Sequence, residues 1–102
     1  MKIDFSQKIV DLKGIAMKLP TGEEGTLSNV CVEVLLASFP GEENLPKGDK
    51  IQRGRLAEKI YEQGIIDIPA EEAVLMQTLI GKAYGPIIVM RADAMLEGII
   101  EK

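Results

Sequence analysis

The chain lacks the side chains on which most catalytic and metal sites depend. It has no histidine, no tryptophan and one cysteine, Cys31. Histidine is the commonest general base near neutral pH and a frequent metal ligand, and one cysteine can form neither a thiolate cluster nor an internal disulfide. A calcium loop needs oxygen ligands at alternating positions, and none of the acidic pairs has that spacing: Glu23-Glu24, Glu42-Glu43 and Glu71-Glu72. We therefore expect a protein that is not an enzyme and needs no metal or cofactor.

Aromatic side chains are also scarce, at 4% of the 102 residues. The hydrophobic core must therefore consist of aliphatic side chains and methionine. A chain of this length forms one domain, residues 1–102, and a small aliphatic core gains stability when a second copy covers one of its faces. We expect a homo-oligomer, a dimer or higher.

The charge and hydropathy of the chain restrict its partners and location. A net charge of −4 argues against general nucleic-acid binding, which relies on cations that neutralise phosphates. No apolar run approaches the roughly 18–20 residues that span a bilayer, and the N-terminus does not resemble a signal peptide. One unpaired cysteine fits a reducing compartment. The expected location is the cytoplasm, without a membrane partner.

The apolar pattern predicts an α+β fold that is mainly helical. Residues 1–19 approach strand-like alternation around a reversal at Lys13-Gly14, which predicts an N-terminal β-hairpin arm. From Thr26, a candidate N-cap, the period becomes helical, although Val30, Val32 and Val34 would also suit a strand. Residues 26–102 are expected to form a helical core of about four short helices.

Proline and glycine residues indicate where the later helices begin and end. The second helix is predicted from about Asp49 to Gln63, with Ile51 and Tyr61 among its inward positions. Pro69 opens the third helix, and Gly85-Pro86 ends it and starts the fourth.

A basic segment is the best candidate for a binding site. Residues 47–59 contain five cations against two acids, in an otherwise acidic chain. Lys47, Lys50, Arg53 and Arg55 near a helix start would suit an anion, because backbone N–H groups there attract negative charge and arginine binds phosphate in a bidentate manner. Alternatively, these cations only solubilise an exposed face and pair locally, as Asp49 could with Arg53.

A second half of the site is predicted at the junction of the last two helices. Tyr84 and Arg91 lie close together in sequence there, beside Gly85-Pro86. Together with the basic helix of a second subunit they would suit a phosphorylated small ligand. The alternative is that Tyr84 is the edge of an amphipathic core with a solvated hydroxyl group.

Four stretches of the sequence resemble small proteins encoded by phages and prophages. They are residues 42–45, 55–61, 66–72 and 79–84, and the likeness extends over roughly residues 27–97. Such proteins are about 100 residues long and mostly have no assigned function, so the resemblance transfers no functional residue. It implies a phage context, in which small acidic proteins typically act by binding, within the host cytosol.

These observations lead to a first and a second functional hypothesis. The first is a non-enzymatic, self-associating binding protein that acts stoichiometrically on a host factor, in an anti-defence role for example, or on a phosphorylated small ligand. The second is a phage assembly protein, such as a tail-assembly chaperone.

Overall fold

Four helices and one antiparallel pair of short strands make up the fold, in a computed structural model that describes residues 2–62 and 64–97. The elements in chain order are β1 (Lys2–Asp4), α1 (Leu27–Leu36), α2 (Lys47–Glu62), β2 (Ile65–Asp67), α3 (Ala70–Ala83) and α4 (Pro86–Leu96). The predicted class, α+β and mainly helical, is confirmed.

The helices begin at the residues that local chemistry favours. Thr26 is the N-cap of α1, and its Oγ1 accepts a hydrogen bond from the Asn29 backbone N–H at 3.1 Å. Pro69 precedes α3, and Pro86 is the first residue of α4, where its missing N–H leaves no hydrogen bond unmade. All three helix starts confirm the sequence prediction.

The N-terminal segment forms its regular ladder with a distant strand. The reversal at Lys13-Gly14 is present, with Gly14 at φ +81°, and it carries one antiparallel bridge, between Val10 and Ala16. The ladder of β1 is instead made with β2, where Ile3 lies opposite Ile66. Alternation in a sequence indicates which side chains share a face, but it does not specify which strand supplies the hydrogen-bonding partner.

The first nineteen residues contribute to the same core as the helices. Ile3, Phe5, Ile9 and Leu19 are all buried within the cluster formed by the four helices. The backbone joins this segment to the cluster as well, because Leu27 N–H donates to the Gln7 carbonyl at 2.9 Å. The N-terminal segment is thus integral to the packing of this domain.

The inward face predicted for α2 is only partly correct. Leu56, Ala57 and Ile60 are buried, but Ile51 is 42% exposed and Tyr61 is 75% exposed. The predictions for Ile51 and Tyr61 are therefore wrong. The buried residues of α2 all lie in its second half. Helical spacing alone therefore predicts a longer buried stripe than the structure has.

A close approach of two backbones explains one glycine, Gly25. Its N–H donates to the Met17 carbonyl at 2.8 Å, and its own carbonyl accepts from Ile9 N–H at 2.6 Å. A Cβ atom at this position would lie 2.7 Å from the Met17 carbonyl oxygen, well inside van der Waals contact. Residue 25 must therefore be glycine for the N-terminal segment to pack as it does.

We expect Gly25→Ala to lower the free energy of unfolding by about 1–3 kcal/mol, the range for overpacked sites. Backbone atoms, which cannot swing aside, form the clash. Gly81→Ala in α3 is the matched control, since its added methyl group meets nothing within 4 Å. That control should stabilise by roughly 0.5–1 kcal/mol. Urea denaturation measures both, and equal effects of the two substitutions would contradict the packing described for Gly25.

Candidate ligand-binding groove

An open groove of about 580 Å³ lies between the C-terminal end of α1, the loop 37–46 and α2. Its apolar lining comes mainly from α1 and the loop, and its charged lining from the loop and α2. The described residues that line it are Leu35, Leu36, Ala37, Ser38, Phe39, Pro40, Glu42, Glu43, Leu45, Lys50, Arg53 and Gly54. The groove thus combines an aliphatic wall with charged groups of both signs.

The loop that forms one wall is shaped by a tight turn at Pro40-Gly41. Gly41 has φ +89°, and Glu42 N–H donates to the Phe39 carbonyl at 3.1 Å. Proline followed by a glycine of positive φ is the signature of a type II turn. The turn reverses the chain after α1 and directs the Glu42 side chain towards α2.

An ion pair between Glu42 and Arg53 connects this loop to α2. Arg53 Nη1 donates to Glu42 Oε1 at 3.0 Å and Nη2 donates to Oε2 at 2.9 Å, which makes the pair bidentate. Only 11% of the Arg53 side chain and 14% of the Glu42 side chain are exposed. The hydrogen bonds from Arg53 hold the pKa of Glu42 below its usual range, so the carboxylate is charged at neutral pH. The local partner considered for Arg53, Asp49, is not the residue with which it forms this pair.

The predicted basic cluster is divided by the geometry of α2. Lys50 and Arg53 line the groove. Arg55, two residues further along the helix, lies on another side and lines a smaller depression of about 330 Å³ beside Lys59. Lys47 is exposed at the start of α2. Residues i and i+2 of a helix do not face each other, so Arg53 and Arg55 line different depressions of the same subunit.

Arg91 is engaged with the N-terminal segment. Its Nε donates to the Val10 carbonyl and its Nη2 donates to the Asp11 carbonyl, both at 3.3 Å. These hydrogen bonds connect α4 to the N-terminal segment where the turn at residues 11–15 begins. The side chain thus supports the fold, and it is not among the described residues that line the groove.

Tyr84 is half-buried at the end of α3, where its N–H donates to the Ile80 carbonyl at 3.0 Å. Burial, together with the charge of Glu33, raises the pKa of Tyr84 to about 12. Its hydroxyl group therefore stays protonated at neutral pH. Tyr84 does not line the groove either, and a site that it shares with a second subunit stays a prediction.

Two residues that line the groove, Glu42 and Phe39, are not indicated as site residues by the sequence. In the sequence, Glu42 is notable as half of the acidic pair Glu42-Glu43, and that pattern does not indicate a contact with Arg53. Lys82 Nζ lies 5.9 Å from the centroid of the Phe39 ring, which places a further cation at this site. No spacing rule links Glu42, Arg53 and Lys82, because the loop turn and the packing of α3 bring them together.

Comparison with known proteins found no matching family model, no matching curated protein and no matching solved structure. Within residues 2–62 and 64–97, no three histidine, cysteine, aspartate or glutamate side chains are grouped so that they could hold a metal ion. None of the helices in the described part of the chain has the length and apolarity needed to cross a membrane.

Proposed function

We propose that this chain is a non-enzymatic binding protein of phage or prophage type that acts stoichiometrically on a phosphorylated small ligand. The observation that carries the proposal is the groove between α1, the loop 37–46 and α2. Its volume of about 580 Å³ lies within the range of about 300–1,000 Å³ that is typical of small-molecule sites. A host protein is the alternative target. The size of the groove favours the small ligand over a host protein.

The composition of the groove supports a ligand that has an anionic end and an apolar body. Lys50 and Arg53 provide cations on α2, and arginine suits bidentate contact with phosphate. Leu36, which is 65% exposed, and Leu45 provide apolar surface in the same groove. Gly54, where an added Cβ would meet nothing within 4 Å, leaves the backbone of α2 open to a ligand.

Self-association is a second part of the proposal. Several large apolar side chains are exposed away from the groove, among them Leu12 at 82%, Tyr61 at 75% and Ile65 at 67%. Their burial against a second copy would remove apolar surface from water, which favours association. Sedimentation at micromolar concentration should therefore detect a dimer or a higher oligomer, and a monomer throughout that range would contradict this part.

Native mass spectrometry of the protein purified from bacterial cells tests the ligand. We expect a retained phosphorylated small molecule, at one per chain. Arg53→Gln should weaken its binding by more than about tenfold, because it removes the bidentate donor. Arg55→Gln is the matched control, with the same residue type on another side of the same helix, and should change the affinity less than about twofold.

Two results would contradict the proposed ligand. One is a retained protein in place of a small molecule, which would favour a host factor or an assembly role. The other is an equal loss of binding in the two variants, which would show that α2 acts through diffuse charge. Circular dichroism spectra of both variants establish that each is folded.

A further inference from the structure

We propose that the Glu42 carboxylate is a built-in competitor for the anion site, which occupies the Arg53 guanidinium group and keeps free phosphate out of the groove. The inference rests on the proposed function and adds to it a way for the protein to select its phosphorylated ligand over free phosphate. A ligand enters by displacing the carboxylate from Arg53, and it must contribute more than a phosphate group to do so.

The contact between Glu42 and Arg53 has the geometry that a bound phosphate would adopt. Both terminal nitrogens of Arg53 are used, one to each carboxylate oxygen, at 3.0 and 2.9 Å. The same two parallel N–H donors recognise two oxygens of a phosphate group. As long as Glu42 holds them, the strongest anion-binding group of the groove is occupied from within the chain.

The cations around Glu42 would suit an anion of higher charge than one carboxylate. Glu42 Oε1 also accepts from Phe39 N–H at 3.3 Å, and the ring of Phe39 lies under Lys82. The hydrogen bonds of Arg53, and to a smaller extent the charge of Lys82, lower the pKa of Glu42. Lys50 lines the same groove. The groove thus holds two carboxylates, Glu42 and Glu43, near three cations, and a phosphate dianion in place of Glu42 would balance the charge that remains.

The carboxylate is placed where an entering ligand can replace it. Glu42 and Arg53 are in the groove wall, each partly exposed, and Glu42 is on the loop and not on a helix. A tethered group competes at an effective concentration of about millimolar or more, which excludes weakly bound inorganic phosphate. A phosphorylated ligand with an apolar body also contacts Leu36 and Leu45, and this added contact area lets it displace Glu42.

The test is a titration of inorganic phosphate at pH 7.5 into four proteins, followed by the NMR signals of the arginine side chains. They are the original protein, Glu42→Gln, Glu43→Gln and the double variant Glu42→Gln/Arg53→Gln. Glu43 is the matched control, since it lines the same groove but accepts its hydrogen bond from Gly41 N–H. We expect Glu42→Gln to bind phosphate at least about tenfold more tightly than the original protein, because a neutral amide cannot hold both nitrogens of Arg53.

The remaining proteins separate the possible outcomes. Glu43→Gln should stay within about twofold of the original protein, and the double variant should lose the gain. If Glu42→Gln binds phosphate no better than the original protein, while Arg53→Gln weakens binding of the phosphorylated ligand as expected, the competitor role of Glu42 is wrong and the proposed function stands. If phosphate binds none of the four proteins and no phosphorylated ligand is retained, both are wrong. If neither Glu42→Gln nor Glu42→Ala folds, the carboxylate is a structural support, which also overturns the inference.

Discussion

Replacing Phe5 with alanine should lower the free energy of unfolding by about 3–5 kcal/mol, the range for a fully buried phenylalanine. The Phe5 side chain is 0% exposed. Its backbone also joins two parts of the fold, because its N–H donates to the Gly64 carbonyl and its carbonyl accepts from Ser28 N–H at 2.8 Å. Truncation leaves a cavity in the core, and these hydrogen bonds hold the surrounding backbone so that it cannot easily close.

Urea denaturation followed by far-ultraviolet circular dichroism measures this loss. Tyr61→Ala is the matched control, since it removes an aromatic ring of similar size that is 75% exposed. That substitution should change the free energy of unfolding by less than about 0.5 kcal/mol in the monomer. A small effect of Phe5→Ala would mean that the N-terminal segment is a peripheral arm and not part of the core.

The thiol of Cys31 should react with a labelling reagent at least about a thousandfold more slowly in the native protein than in the unfolded one. Cys31 is 0% exposed in α1, between the buried residues Val30 and Val34. Burial also raises the pKa of the Cys31 thiol, so the reactive thiolate is scarce at neutral pH. Labelling should therefore require an opening of the core.

A cysteine moved to the surface provides the comparison. In a Cys31→Ala background, Ser38→Cys places a thiol at an exposed position shortly after α1. We expect that thiol to react at a rate close to that of the unfolded chain. Rapid labelling of native Cys31 would reopen a chemical role for it, and so would a loss of ligand binding in Cys31→Ala without a loss of stability.

The candidate site was predicted only in part, and the division has a physical reason. Lys50 and Arg53 could be selected from the sequence because charge density along a helix is a local property. The partner of Arg53 could not, since Glu42 reaches it only after the turn at Pro40-Gly41 has reversed the chain. Arg91 was selected for its charge and its position after Pro86, yet its hydrogen bonds go to carbonyl groups of the N-terminal segment, far away in sequence.

The sequence by itself determined the class of the fold and the starts of α1, α3 and α4. These features depend on interactions within a few residues, such as the Thr26 cap and the fixed φ of Pro86. Tertiary structure alone decided that β1 pairs with β2, that Gly25 N–H donates to the Met17 carbonyl, and that Glu42 pairs with Arg53. Each of these contacts joins segments that are distant in the chain, so its free energy depends on how the whole core packs and not on any local pattern.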